Sequence, residues 1–451
     1  MPFQQAPKPD VVVIGGGVSG LAAAVDLASR DLSVLLVEQK QHCGGRTYSF
    51  ADKETGDEVD NGQHLMMGCY HSTLKYLSTI GALSEVSIQK KLSVTLRDPR
   101  RGAQKLQSAS LPGALGVLAG LMGFKSLSLA GRLSLLRVCA AVLLARPDDD
   151  ERLQSVTVRK WLDGLHQSET ARKYLWNIIA IGTLNESPET ASAALFAKVL
   201  QAAFLGSGRD SSLIIPKKGL SRVLVDGAVV FLVHHRSSVL LGTAVERLVT
   251  AGEHVSGVVL SDGQTIVPRA VVSAVPHFDL PKLLAHDGAR LPDQMQAPGR
   301  FVSSPIISIH LWFDRRFMEE DFVALVDSPV HWVFNKSGMY GRNDEGRQYL
   351  SLVISSAGNI VEKEKDELVA MAVGELRRFY PESSGASLVH SLVIKEKRAT
   401  FSPRPETYGH RPGAATSMRN FFLAGDWTDT KLPATIEGAI RSGRAAAALF
   451  L

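Results

Sequence analysis

A polar run, Asp60-Asn61-Gly62-Gln63-His64, leads directly into the apolar, sulfur-bearing segment Leu65-Met66-Met67-Gly68-Cys69-Tyr70. These side chains can move a proton and hold an oxygen at the edge of something greasy. His64, with a reference pKa of about 6.5, is the candidate general acid. Gln63 is a candidate ligand for a hydroxyl group, and Asp60 a candidate partner that orients His64 or touches a bound cofactor. Leu65, Met66 and Met67 would begin an apolar wall. Glu186, in Asn185-Glu186-Ser187-Pro188-Glu189, is an alternative acid, although Ser187 and Pro188 also suit a turn or helix cap.

The elements that must position this group lie at the two ends of the chain. Val11 to Ile14 is a β-branched run suited to a buried parallel strand. Gly15, Gly17 and Gly20 follow in G-x-G-x-x-G register, Leu21 to Ser29 reads as a helix, and Ser33 to Val37 as a second strand ending at Glu38. Gly15 permits the tight turn, Gly17 lets a pyrophosphate approach the backbone, and Gly20 lets helix and strand pack closely. The helix N-terminus offers free N–H groups to phosphate. Glu38, 18 residues beyond Gly20, is placed to accept from ribose hydroxyls. Strand, glycines, helix, second strand and acid together predict a dinucleotide site without a 2′-phosphate. At the other end, Phe421 to Leu423 reads as a short strand broken by Gly425-Asp426, with a helix from Ala434 onward. That is a second anion or carbonyl site. Between them, Gly242 to Pro276 reads as a β-meander with a returning strand, Ala270 to Ala274.

Gly44-Gly45-Arg46 resembles the GG-R element of the amine oxidase and phytoene desaturase superfamily of flavoproteins, and Gly425-Asp426 resembles its second FAD motif. The resemblance implies non-covalent FAD. Gly45 and Arg46 would lie against its ribose and pyrophosphate, and Val245 against the adenine. Asp426 would hold the ribityl and phosphate region, with the Thr435 and Ile436 amides at the flavin. The implied fold is α/β: a Rossmann-like FAD-binding domain from residues 1–64, 207–276 and 405–451, interleaved with an α+β substrate domain from 65–206 and 277–404 that contains a helical subdomain. The chain departs from the amine oxidases. Ile307 stands where they carry a lysine, Thr435 where they often carry a tyrosine, and no cysteine follows Cys139 to anchor a flavin.

"DNGQHLMMGCYHSTLKYLSTIG", "LNESPETASAALFAKVLQAAF" and "AGDWTDTKLPATIEGAIRSG" narrow this further. Together they resemble the hydroxysqualene dehydroxylases, squalene-associated FAD-dependent enzymes of bacterial squalene and hopanoid pathways. The stretch from Lys90 to Leu153 carries no part of that likeness. The resemblance implies reductive loss of water from hydroxysqualene, an isoprenoid lipid, with an external electron donor to recharge the FAD. Two alternatives stay open: an oxidative carotenoid or phytoene desaturase-type dehydrogenase, and a non-catalytic isoprenoid escort similar to the Rab GDP-dissociation inhibitors.

Composition bounds these readings. The 451 residues require more than one core, and 45% hydrophobic with 21% charged residues is globular. Aromatics are 7% and no basic stripe interleaves with them, so nucleic acid is not an expected partner. Cys43, Cys69 and Cys139 match no metal or disulfide framework, which suits a reducing, cytoplasmic setting. No basic region precedes Val11 to Ala28, so a signal peptide is not expected. Leu111 to Phe124 and Leu133 to Ala145 are too short to span a bilayer. With Lys90, Lys91, Arg97, Arg100, Arg101 and Lys105 upstream, they suggest either buried helices or peripheral contact with the inner face of the membrane.

Overall fold

The computed structural model describes residues 8–111, 113–284, 301–341 and 346–450. The parts of the expected substrate domain at 285–300 and 342–345 lie outside them. Three distant parts of the chain build one five-stranded sheet. Its order is Ser238–Leu240, Val34–Val37, Val11–Ile14, Ala270–Ser273, Phe421–Leu423, parallel throughout. Strand alternation sends Val11 and Val13 to one face and Val12 and Ile14 to the other, so every residue of this strand is buried. The first face carries the helices Val18–Ala28 and Ile436–Ala448. They cross so closely that a Cβ on Gly443 would lie 2.1 Å from the Ser19 carbonyl oxygen. The second face is covered by the meander Val245–Ala251, His254–Leu260 and Thr265–Ile266 and by Leu280–Leu284.

The other large unit is a seven-stranded sheet in the order Leu388–Phe401, Ser303–Phe313, Gln348–Ile354, Trp332–Asn335, Phe322–Leu325, Ser93–Asp98, Gly102–Gln107. One face packs on the helix Lys365–Phe379 through Leu368, Ala372 and Leu376. Part of the other faces a helical layer of Gly113–Met122, Leu129–Leu144, Asn177–Leu184 and Ala193–Phe204. The interleaved α/β and α+β architecture is therefore as the motifs imply.

The join between the units differs from the expected boundary at residue 64. Helix His71–Thr79 packs Tyr76 and Leu77 into the core of the nucleotide-binding sheet, not into the substrate domain. The buried Glu437 carboxylate accepts from the Ser72 and Thr73 amides at its N-terminus. Met66–Met67 and Val86–Ile88 both pair with Leu213–Pro216, so one small sheet straddles the boundary. A hydrophobic periodicity read along the chain cannot say which of two apolar cores a short amphipathic helix will join.

His310 is fully buried within Ser303–Phe313, its Nδ1 2.8 Å from the Tyr349 hydroxyl. Burial, reinforced by the nearby Lys336 charge, pushes its pKa down to about 3; burial alone takes His331 down to about 4. Each is neutral in the folded chain, whereas an unfolded histidine takes a proton below about 6.5. Folding stability is therefore full above that pH and declines as pH falls through it, by about 2 kcal/mol per histidine at pH 5. Denaturant titrations at pH 7 and pH 5 should show this fall, and His310→Asn should make it smaller.

Candidate active site

The glycine motif forms a cradle at the sheet's carboxyl edge. Gly15 has φ +104°, which a side chain would strain, and a Cβ on Gly20 would sit 1.9 Å from the Gly15 carbonyl oxygen. Gly17 behaves differently: its φ is −67°, and a Cβ there would meet no atom within 4 Å, because it faces open cavity. Gly17 caps the first helix without any side-chain bond, so that helix's free N–H groups are left for a ligand. Gly44 donates its N–H to the Gly16 carbonyl at 2.8 Å, and Gly45 (φ +61°) lies against Gly17. Glu38, 7% exposed, accepts from the amides of Gly16 at 2.7 Å and Lys40 at 2.9 Å, and its side chain also lines the cavity.

The two ends of the chain meet here. Arg46 Nη2 is 2.8 Å from the Asp426 carboxylate, and its Nη1 donates to the Ala399 carbonyl. Gly425 has φ +144°, and a Cβ there would strike the Trp427 indole at 2.4 Å. Thr435 caps the C-terminal helix, its hydroxyl accepting from the Gly438 amide at 3.0 Å; the helix begins at Ile436. Val245 opens the meander. Gly15, Gly17, Glu38, Gly45, Arg46, Val245, Gly425, Asp426, Thr435 and Ile436 all line one cavity of about 1120 Å³. Gly20 is brought to the site as a packing residue behind it.

The polar run is split by the fold. Asp60 is fully buried, and four donors occupy its carboxylate: Ser49 Oγ (2.7 Å), Leu220 N (2.8 Å), Lys336 Nζ (2.7 Å) and Tyr340 OH (3.1 Å). Burial would raise its pKa, but Lys336 and these bonds hold it below the usual carboxylate range. The expectation that Asp60 orients His64 or touches the cofactor is thereby corrected: its oxygens are turned away from the cavity onto a buried lysine. Lys336 carries no signal in sequence. It sits in an ordinary strand-to-helix turn, 276 residues from Asp60, and only the packing of the two units brings the pair together.

Lys336 also donates to Gln63 Oε1. An ammonium has no acceptor, so it orients the Gln63 amide; the NH₂ end lies 3.4 Å from the His64 carbonyl, which accepts one of its two N–H groups and leaves the second as a donor. Gln63 lines the cavity beside Asn61, His64 and Ser308. His64 Nδ1 lies 2.7 Å from the Gly62 carbonyl. A carbonyl only accepts, so Nδ1 carries a hydrogen and Nε2 is the atom that can take up or release a proton. Burial lowers the His64 pKa, against the opposing pull of the Gly62 carbonyl and Asp60. The imidazolium is thus a stronger, scarcer acid than free histidine.

Strand alternation also divides the sulfur-bearing segment: Leu65 and Met67 line the cavity, while Met66 turns into the nucleotide-domain core. Glu186 is buried on Ser402 Oγ and Thr190 Oγ1 and does not line the cavity, so it is a turn residue rather than an acid facing it. From the junction the cavity runs between sheet and helices, walled by residues such as Leu96, Leu121, Val142, Leu175, Trp176, Phe204 and Phe334.

The chain belongs to the flavin-containing amine oxidoreductase family, whose model matches residues 18–451. Within it, the hydroxysqualene dehydroxylase of Rhodopseudomonas palustris is 31% identical over 98% of both chains, and that of Sinorhizobium fredii 30% identical over 99% of both. The 15-cis-phytoene desaturase of Synechococcus elongatus is 23% identical over 96% of this chain and 94% of its own. Among solved structures, an oxidoreductase from Methanosarcina mazei shares the fold with a TM-score of 0.75 at 15% identity, over 96% of this chain and 98% of that one. The protein is an FAD-dependent oxidoreductase. Its residues suit that cofactor: the open space before Gly17 would admit a pyrophosphate, the free N–H groups of the helix that Gly17 begins and the Asp426-paired Arg46 would face it, and the Glu38 carboxylate would accept from a ribose.

Proposed function

We propose that the protein reductively dehydroxylates hydroxysqualene to squalene, a step of squalene and hopanoid biosynthesis. In the balanced reaction the allylic C–O bond breaks, a C–H bond forms from a hydride equivalent, and the oxygen leaves as water with one added proton. Bound FAD, when reduced by an external donor, supplies the hydride equivalent. The supporting observation is the single cavity that joins the FAD cradle to a long apolar arm, with Gln63 and His64 at the junction. Apolar walls exclude water from a delocalised allylic cation. The Gln63 NH₂ group holds the hydroxyl oxygen, and His64 Nε2 delivers the proton that makes it a leaving group.

The protein, reduced anaerobically with dithionite, should reoxidise on adding hydroxysqualene and yield squalene in the extract. A flavin that stays reduced, with desaturation of a polyene by the oxidised protein, would establish the oxidative reading instead. His64→Gln should keep FAD absorbance while turnover falls by about 10²–10⁴-fold. Because the His64 pKa is lowered, wild-type turnover should decline as pH rises through a value below about 6.5, a limb the variant lacks. Full turnover by His64→Gln would place the acid elsewhere.

A further inference from the structure

The helices Gly113–Met122 and Leu129–Leu144 are apolar on both sides. On the second, Leu135, Val138 and Val142 face the core, while Leu129, Leu133, Leu136 and Leu144 form an outer stripe at 68%, 50%, 40% and 81% exposure. Leu115 of the first helix and Leu143 of the second are 62% and 63% exposed and also line the cavity, so they stand at its rim. An unpartnered leucine stripe at a cavity rim is far from the scattered apolar residues usual on a surface. The charges within the segment itself are all of one sign. Between Asp98 and Asp148 the chain contains no acidic residue, whereas Arg100, Lys105, Lys125, Arg137 and Arg146 in that interval are all exposed. Arg101 and Arg132 hold backbone carbonyls of the same segment. The acids that follow cluster at the far end of the second helix: Asp148 is tied to Lys198 at 2.6 Å, while Asp149, Asp150 and Glu151 are exposed beside Leu144 and Arg146. At 16 residues the second helix is about 24 Å long, short of a bilayer's apolar thickness, and no helix among the described residues is long and apolar enough to cross a membrane.

We propose that this face docks on an anionic lipid bilayer, with the two helices lying at the interface and the cavity rim opening into the lipid. Leucines enter the acyl boundary, the flanking lysines and arginines meet anionic headgroups, and an apolar substrate passes from bilayer to cavity without crossing water. The purpose of the docking rests on the reading of the substrate given above; its test does not, because it uses no substrate. The FAD-bound full-length protein is sedimented with vesicles of phosphatidylcholine alone or mixed with phosphatidylglycerol. Wild-type protein should pellet with the mixed vesicles, about ten-fold or more strongly than with the neutral ones. The triple variant Leu129→Gln, Leu133→Gln, Leu144→Gln, all outside the cavity lining, should lose that partition by a similar factor while retaining its FAD absorbance. Lys125→Glu with Arg137→Glu should remove the preference for anionic lipid. Wild-type protein left in the supernatant with both vesicle types overturns the proposal. So does a dimer in light scattering that the triple variant makes monomeric without changing vesicle binding, since a second copy would then cover the stripe.

Discussion

Lys336→Met should destabilise the protein by about 3–5 kcal/mol, although the lysine touches no cavity surface. Lys336 and Asp60 are each fully buried and sit 2.7 Å apart. Removing the cation leaves a carboxylate that must either stay charged without a counter-ion or take up a proton at a cost. Ser49, the Leu220 amide and Tyr340 would still donate to it, but none brings positive charge. The double variant Lys336→Met, Asp60→Asn should recover much of the loss, because neutral groups of that shape need no counter-ion. Lys336→Met should also free the Gln63 amide to turn over, so residual FAD-bound protein should show weaker substrate binding as well as a lower unfolding midpoint. Denaturant titration of the single and double variants decides the matter. A single variant within about 1 kcal/mol of wild type would mean that no charged pair is buried there.

Gly17→Val should abolish FAD retention while leaving the apoprotein as stable as wild type. The two effects separate because of where the missing Cβ points. At Gly17 the backbone angles suit any residue and a Cβ would meet no protein atom within 4 Å. A valine there occupies only the space into which the pyrophosphate must come, so affinity should drop by about 100-fold or more, some 3 kcal/mol. Gly20→Val is the contrasting case. Its Cβ would lie 1.9 Å from the Gly15 carbonyl oxygen, so the helix has to leave the strand, and both cofactor and stability should be lost. Flavin absorbance after gel filtration, beside the unfolding midpoint of apoprotein, reads both. Gly17→Val protein that stays yellow would move the phosphates away from this turn.

Much of the cofactor site is legible without coordinates. Gly15, Gly17, Gly20 and Glu38 lie within one strand-helix-strand unit, where spacing and residue type jointly report a turn, a close packing and an acid at a strand end. Gly425-Asp426 and the helix after Pro433 are equally local. Strand and helix periods also make the leucine-rich helices visible, because each is written within one stretch of chain. The limits appear where a side chain's partner lies far away. Met66 and Met67 look alike in sequence, and the pleat sends one to each core. Arg46 and Asp426 can each be assigned to a cofactor motif, yet their 2.8 Å pairing exists only because the last strand joins the edge of the first sheet. Asp60 reads as a member of the His64 group because it is its neighbour along the chain. In space its neighbour is Lys336.

Glycine spacing and hydrophobic period act over a few residues through backbone geometry, so the cofactor class, the parallel sheet and the apolar helices can be read along the chain. Which polar side chains face the cavity is set by contacts far apart in the chain. That choice depends on how two separately built sheets pack, and on which buried charge, in this case Asp60, finds its counter-ion across the join.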